Sequence, residues 1–316
     1  MKREWIFFWL VALIWGSSFL FMRIGVEELP PAQLAFTRVG IAAICMNLVL
    51  FFTRRRYPAD RNTLLALILL GIVNTGLPFT LLAWGEQTVE SGLTSVLQAI
   101  TPVFALVIAH FAFADERITP IKIAGITLSF VGILVLTSKD FTGASSDLGG
   151  EIAILVASLC YGIGTNFSRR MLKERGLDTI VVATVTMTGA AICTFILMYT
   201  LPLLVGERAP VAYSSLSPEV LQLALVLGFF NTFIAYLMFY SVIAKLGGAR
   251  SSMVTYVIPV VAITLGAIFL NEVIDARLIF GSVLILAGLA LVNGWFKYLL
   301  NLPRLTETKA TIPAES

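Results

Sequence analysis

The chain has 316 residues, of which 58% are hydrophobic and 13% are charged. A soluble protein of this length needs about 25% charged residues to cover its surface, and with half of that its apolar surface would aggregate. The net charge of +3 is too small for a polyanion-binding protein, so no nucleic-acid partner is expected. The composition predicts an integral membrane protein whose outer surface contacts membrane lipid.

Residues of the metal-binding and redox types are few. His110 is the only histidine, and Cys45, Cys160 and Cys193 lie in separate apolar runs without metal-type spacing. We therefore expect no metal, no cofactor and no disulfide framework. The apolar run at 5–22 is longer than a signal-peptide core and is followed by no cleavage site, which indicates a retained first helix.

The apolar residues are gathered in long runs. A membrane-spanning helix needs about 20 apolar residues, because about 1.5 Å per residue must cross a hydrocarbon core about 30 Å thick. Ten runs meet this requirement, at approximately 5–23, 33–52, 63–84, 92–113, 120–137, 149–168, 179–204, 217–243, 250–270 and 275–298. Backbone groups in lipid must bond within their own segment. The sequence therefore predicts an all-α integral membrane protein with ten transmembrane helices.

The connections carry helix-start and linker signals. Thr119 before Pro120 predicts a helix with proline at its first position, and Asp275 is placed to cap helix ten. The segment from Ser138 to Gly149 has the composition of a linker. The tail after Pro303 is polar and is predicted to be disordered.

Lys and Arg residues indicate the orientation. If the N terminus is cytoplasmic, 17 of the 22 Lys and Arg residues fall at cytoplasmic helix ends. The other five are Arg23, Arg38, Lys139, Arg208 and Arg277. This distribution satisfies the positive-inside rule. It predicts a protein of the plasma membrane with both termini in the cytoplasm.

The two halves of the chain resemble each other at a nearly constant separation. The pairs are Trp15 with Tyr161, Gly16 with Gly162, Phe21 with Phe167, Arg23 with Arg169, Gly71 with Gly228, Asn74-Thr75 with Asn231-Thr232, Ser95 with Ser252, Pro102 with Pro259, Glu116 with Glu272, Gly125 with Gly281 and Gly132 with Gly288. Each half contains five predicted helices, an odd number, so the second half begins on the opposite side of the membrane. We predict inverted five-helix repeats at 1–140 and 141–300 and a cytoplasmic tail at 301–316, an arrangement that transporters use to open to either side.

Several of these residues belong to patterns that resemble the EamA-type branch of the drug/metabolite transporter superfamily. The patterns are Ile14-Trp15-Gly16-Ser17-Ser18-Phe19, Thr37-Arg38, Ala99-Ile100-Thr101-Pro102, Glu116 with Gly125 and Gly132, Tyr256-Val257-Ile258-Pro259, and Glu272 with Gly281 and Gly288. The resemblance covers residues 5–295 and departs in helix six, where Tyr161 replaces the tryptophan of helix one. It implies a central cavity lined by helices one, three, four, six, eight and nine, and transport of small organic solutes, often export of amino acids or metabolites.

Polar and aromatic residues inside the runs are candidates for binding the substrate. The candidates are Trp15, Asn74, Gln98, Thr101, Tyr161, Asn231, Thr255 and Tyr256. An amide or hydroxyl inside the membrane must find a partner, so it either binds a polar group of the substrate or joins two helices. The rings either form a broad apolar wall of the cavity or lie in an interfacial belt or an ordinary packing contact.

Prolines and glycines at equivalent positions of the two halves suggest mechanical roles. Pro102 and Pro259 each remove one backbone hydrogen bond in mid-helix, so they are either hinges or packing kinks. The spacing of small residues lets helices approach closely. The glycines predicted to pack in this way are Gly125, Gly132, Gly281 and Gly288.

Charged side chains are nearly missing from the interiors of the runs. Arg38, in the first turns of helix two, either attracts a carboxylate of the substrate or extends to the headgroups, and the second interpretation is favoured. No Asp or Glu lies deep within a run. Ion coupling, if it is present, is therefore not expected to use a buried carboxylate.

The sequence predicts a secondary or facilitative carrier that works by alternating access around a midplane cavity. The resemblance implies an exporter, but the residues themselves do not fix the direction, because a carrier without an evident driving ion runs down gradients. The alternative is a membrane-embedded lipid-carrier flippase or lipid-modifying enzyme. An enzyme needs nucleophile, metal or acid–base groups at one depth, and the sequence contains no such group of residues. The substrate is a small molecule that the sequence does not identify, because amides, hydroxyls and rings suit amino acids, nucleobases, sugars or amphipathic drugs.

Overall fold

The computed structural model describes residues 2–113, 117–138 and 148–294, and within these ranges the chain forms ten apolar helices and no strand. They are α1 Lys2–Glu28, α2 Pro31–Phe52, α3 Arg61–Gly85, α4 Ser91–Ala112, α5 Pro120–Leu136, α6 Leu148–Arg175, α7 Thr179–Val205, α8 Pro218–Leu246, α9 Val254–Phe269 and α10 Ala276–Val292. The predicted fold class is confirmed. Glu116, most of the predicted linker and the tail lie outside the described residues.

The helix bounds differ from the predicted runs at the ends. The run at 5–23 continues as a helix to Glu28, because polar residues extend a helix beyond the hydrocarbon core. α9 begins later than predicted, because a turn at Ser252 and Met253 interrupts the chain. The predicted cap of α10 is confirmed by a hydrogen bond from Leu278 N to Asp275 Oδ1 (2.7 Å). Pro120 begins α5 as predicted, although the Thr119 side chain makes no capping bond.

The helices pack in the same pattern in both halves. α1 packs on α8 and α9, and the equivalent helix α6 packs on α3 and α4. α2 packs on α8, and its equivalent α7 packs on α3. In addition, two helices pack on their own equivalents, α2 on α7 and α5 on α10. Because each half has five helices, equivalent helices cross the membrane in opposite directions. The repeats are therefore inverted, and their exact bounds at 140 and 141 stay a prediction.

Glycines bring α5 and α10 into close contact. A Cβ atom on Gly125 would lie 2.6 Å from Gly288 O, and one on Gly132 would lie 2.9 Å from Gly281 O. Both distances are shorter than real Cβ contacts. The four glycines that the sequence marked for packing thus lie at one helix contact.

α3 and α8 each contain a π-helical turn at equivalent positions, Ile72–Gly76 and Phe229–Ile234. A π-helical turn holds one more residue than an α-helical turn, and such turns are frequent at functional sites. The paired Asn-Thr sequences lie inside these turns. As a result Asn74 and Phe79, five residues apart, line the same cavity.

Candidate substrate cavity

A cavity of about 420 Å³ lies between the two halves, within the range typical of small-molecule sites. Its walls come from α1, α3, α4, α6, α8 and α9, which are the helices that the resemblance implied, and α2 adds Arg38. Seven of its 21 lining residues are aromatic. The rings on the wall belong to Trp15, Phe19, Phe79, Tyr161, Tyr236, Phe239 and Tyr240.

The structure brings most of the predicted site residues together. Those on the cavity wall are Trp15, Asn74, Gln98, Thr101, Tyr161, Thr255 and the proposed hinge Pro102. Asn231, Tyr256 and Pro259 are not on the wall. Asn231 is buried against α1, and the Tyr256 hydroxyl accepts a hydrogen bond from Asn293 Nδ2 (3.0 Å) on α10.

Asn231 joins α8 to α1. Its Nδ2 group donates to Ser18 Oγ (3.0 Å), to Ser17 Oγ (3.2 Å) and to the carbonyl oxygen of Ile14. Gly16, next to these residues, lets α9 approach, because a Cβ there would overlap Val261. The helix-one pattern that carried the family resemblance therefore serves two helix contacts, and its Trp15 faces the cavity.

Asn74, the equivalent of Asn231, has no such partners. In α6 the residues that match Ser17 and Ser18 are Ile163 and Gly164, which offer no hydroxyl. The Asn74 amide fills the space beside Gly164, where any Cβ would overlap its Oδ1. Within the described residues the Asn74 side chain makes no hydrogen bond, and it lines the cavity. It is therefore available to a ligand.

Pro102 divides α4 into two segments, Ser91–Gln98 and Thr101–Ala112. Proline has no N–H, so the carbonyl of Gln98 loses its helical partner. The Thr101 hydroxyl donates to that carbonyl instead (2.8 Å). Pro259 differs from Pro102, because it lies inside the continuous helix Val254–Phe269.

We call the face of the protein where α1 ends the far face. Arg38 lies at the end of the cavity that is nearest to this face. Only 5% of the residue is exposed. Nε donates to Thr232 Oγ1 (2.8 Å), and the guanidinium carbon lies 4.0 Å from the centroid of the Phe79 ring. The favoured interpretation that Arg38 extends to the headgroups is wrong, because the side chain turns inward and is held by α8 and α3.

The far face is closed by the first segment of α4. Ser91–Gln98 packs against α1, α6, α9 and α10. Glu272 holds its N-terminus, because its carboxylate accepts hydrogen bonds from Ser91 N (2.7 Å) and Gly92 N (2.9 Å). A negative charge at a helix N-terminus is favourable. The segment is thus fixed to the loop that joins α9 and α10.

The α7–α8 connection adds a second closure at the far face. The Gln33 amide exchanges two hydrogen bonds with the backbone of Val211 (2.7 and 2.9 Å). Ser217 N donates to Glu28 Oε2 (2.8 Å), and Arg208 donates to the Glu27 carbonyl (3.0 Å). Burial raises the pKa of the neighbouring Glu207 carboxyl, opposed by a hydrogen bond from the Ala32 backbone and by the charge of Arg208.

We call the opposite face, where α1 begins, the N-terminal face; within residues 2–113, 117–138 and 148–294 it is less closed than the far face. The short helix Gly248–Ser251, which is equivalent to the first four residues of the first segment of α4, packs mainly against α8 in the described part of the chain. The α2–α3 and α6–α7 connections at this face are joined by an exposed ion pair, Arg55–Asp178 (2.8 Å). Exposed ion pairs contribute little to stability. A second cavity of about 790 Å³ shares Pro102 and Thr165 with the first and extends toward this face along α4, α5, α6 and α10.

One buried carboxyl group was missed because the third run was predicted to end at residue 84. Glu86, directly after α3, is 0% exposed, and within the described residues neither of its carboxyl oxygens has a hydrogen-bond partner. Arg23 NH1 donates to the backbone carbonyls of Glu86 and Gln87, not to the carboxyl group. A charged group in this position is costly, so the neutral acid is the favoured form.

Ten helices in two inverted halves around a central cavity define this protein as a membrane transporter. A family model described as the EamA-like transporter family matches residues 3–138 and again residues 148–294, and the chain belongs to that family. The predicted family is therefore confirmed. The two matches fall on the two five-helix halves.

Related proteins carry transporter names. "Uncharacterized transporter YoaV" of Bacillus subtilis is 28% identical over 88% of this chain and 92% of its own length. "Probable terminal-alkyne amino-acid exporter" of Streptantibioticus cattleyicolor is 27% identical over 90% and 91%. "Probable amino-acid metabolite efflux pump" of Salmonella typhimurium is 24% identical over 89% and 91%. A crystal structure described only as that of a protein shares the fold, with a TM-score of 0.62 at 16% identity over 95% of this chain and 99% of that one.

Proposed function

We propose that the protein exports small organic solutes, such as amino acids or their metabolites, by alternating access. In this proposal the protein lies in the plasma membrane and both of its termini are in the cytoplasm. The unequal packing of two equivalent segments carries the proposal. Ser91–Gln98 is packed among four helices, whereas Gly248–Ser251, which is equivalent to its first half, packs mainly against α8 among the described residues. Exchanging these two arrangements would close the N-terminal face and open the far face, as inverted repeats allow.

Relatives named as amino-acid exporters support this substrate class. The cavity also suits it, because apolar rings surround two amides without hydrogen-bond partners, Asn74 and Gln98, in the described residues. Export is proposed because of the names of these relatives, and in the proposed orientation the N-terminal face would be the side from which the solute enters the cavity. Membrane lipid around the helices and the solute in the cavity are the partners that this function requires.

The first test is counterflow in proteoliposomes that contain the purified protein and a pool of labelled amino acids. We expect saturable exchange in wild-type protein and a reduced rate in Asn74→Ala. Gly40→Ala is the matched control, because a Cβ there meets only its own helix at 3.6 Å. Folded protein that exchanges no member of the pool would contradict the proposed substrate class.

A second test addresses alternating access. Single cysteines would be introduced into a variant without the native cysteines. Ser168→Cys reports whether the cavity is accessible from the N-terminal face. Val89→Cys reports whether it is accessible from the far face, where Val89 is 1% exposed. A membrane-impermeant thiol reagent should label the thiol introduced at position 168 in the absence of solute, and the thiol introduced at position 89 only during transport. Constant labelling of both positions with and without a transported solute would rule out the exchange of faces.

A further inference from the structure

We infer that Arg38 is the anion-binding group of the cavity and that the transported solute carries a carboxylate; this inference rests on the proposed function. The first observation is how the arginine is held. Nε donates to Thr232 Oγ1 (2.8 Å) and NH1 donates to Met22 Sδ (3.3 Å). Within the described residues NH2 makes no hydrogen bond, so part of the guanidinium fork is free.

The orientation of the guanidinium group is fixed before a ligand arrives. Its carbon lies 4.0 Å from the centroid of the Phe79 ring, which covers one face of the planar group. Thr232 belongs to α8 and Phe79 to α3, so one helix from each half holds the side chain. A donor that is already ordered loses little conformational entropy when it binds an anion.

Among the described residues no Asp or Glu lines the cavity, and none lies within ion-pair distance of Arg38; the buried Glu86 carboxyl interacts with Arg38 only at longer range. An unpaired buried charge is costly, and charged residues inside a membrane protein are retained mainly for function. A carboxylate on the solute would neutralise the guanidinium and accept its free N–H groups. Such charge-assisted bonds are about twice as strong as neutral ones.

A carboxylate suits the cavity better than a phosphate. Phosphate brings up to two charges, and Arg38 is the only cationic side chain on the wall of this cavity among the described residues. The aromatic wall favours an apolar body on the solute. The amide oxygens of Asn74 and Gln98 can accept hydrogen bonds from an ammonium group, which fits an α-amino acid.

The test compares acids with their uncharged analogues. Counterflow would be measured for phenylalanine and leucine, for their amides, and for phenylacetate and phenyl phosphate. Wild-type protein should prefer each amino acid over its amide by roughly tenfold or more, because the amide leaves the buried guanidinium without its charged partner. Arg38→Met should reduce this ratio to near one and change the apparent affinity for the amide by less than about threefold, since apolar contacts remain.

Arg38→Lys provides a second variant, because it keeps the charge but loses the planar fork. It should give an intermediate ratio. Folded Arg38→Met or Arg38→Lys protein with the wild-type ratio would overturn the inference. Wild-type protein that exchanges these solutes without preferring the acids, or that prefers phenyl phosphate, would overturn it and leave the transporter function intact. Failure to exchange any of them would contradict both proposals.

Discussion

Asn74 and Gly164 are in contact in one half of the protein at the place where Asn231 and Ser18 are hydrogen-bonded in the other. The two asparagines lie at equivalent positions in equivalent π-helical turns. Their roles differ because the helix opposite them differs. A hydroxyl on α1 engages Asn231, and a glycine on α6 leaves Asn74 to the cavity.

This difference predicts opposite consequences for the same substitution. Asn231→Ala should lower the stability of the protein by about 0.6–2 kcal/mol, the range found for hydrogen bonds between membrane helices. Asn74→Ala should leave the melting temperature in detergent nearly unchanged and raise the KM for the solute. Each variant serves as the control for the other. Equal losses of stability would show that both amides are structural.

The α5–α10 contact should not tolerate a larger residue. Gly125→Leu places a side chain against the backbone of Gly288, and overpacking of this kind costs about 1–3 kcal/mol. The variant should melt at a lower temperature, while Gly40→Ala should melt like the wild type. A Gly125→Leu protein of unchanged melting temperature would mean that the two helices separate freely.

Pro102 and Thr101 should affect transport more than folding. Pro102→Ala restores an N–H that can bond to the Gln98 carbonyl, which would make α4 more continuous. We expect slower counterflow from the Pro102→Ala/Pro259→Ala double variant, with expression reduced less than the rate. Thr101→Val removes the hydroxyl that is bonded to the Gln98 carbonyl but keeps both prolines, so its counterflow rate is compared with that of the double variant. Normal uptake by a well-folded double variant would remove the hinge interpretation.

Glu272 and Glu86 should respond differently to replacement of their carboxyl groups. Glu272→Ala leaves the Ser91 and Gly92 N–H groups without an acceptor and should destabilise the closed far face by about 0.5–2 kcal/mol. Labelling of a cysteine at position 89 should then increase. Glu86→Gln should be tolerated, because the carboxyl has no partner to lose in the described residues. A greater loss of closure in Glu86→Gln than in Glu272→Ala would reverse these assignments.

The sequence predicted the number of helices, because a bilayer requires apolar runs of about this length, and it predicted which helices of the two halves correspond, because the repeated residues occur in both halves. It did not reveal the π-helical turns. Ile72–Gly76 carries no residue signature for one, so helical periodicity alone places Asn74 and Phe79 on different faces. The interpretation of Arg38 failed for a related reason. Whether an arginine near a helix end turns outward or inward depends on Thr232 and Phe79, which are distant in sequence.

The π-helical turns also make the hydrogen-bond register of the backbone a determinant of what the cavity can hold. If the residues of Ile72–Gly76 were all kept but closed into a regular α-helix, every position after them would rotate by about 100° relative to the positions before them. Phe79 and Leu82 would then leave the wall without any change in their identity. The same change in α8 would turn Tyr236 and Tyr240 away. Deleting one residue from either turn would instead leave the flanking side chains on their present faces, because the shortened segment fits a regular helix.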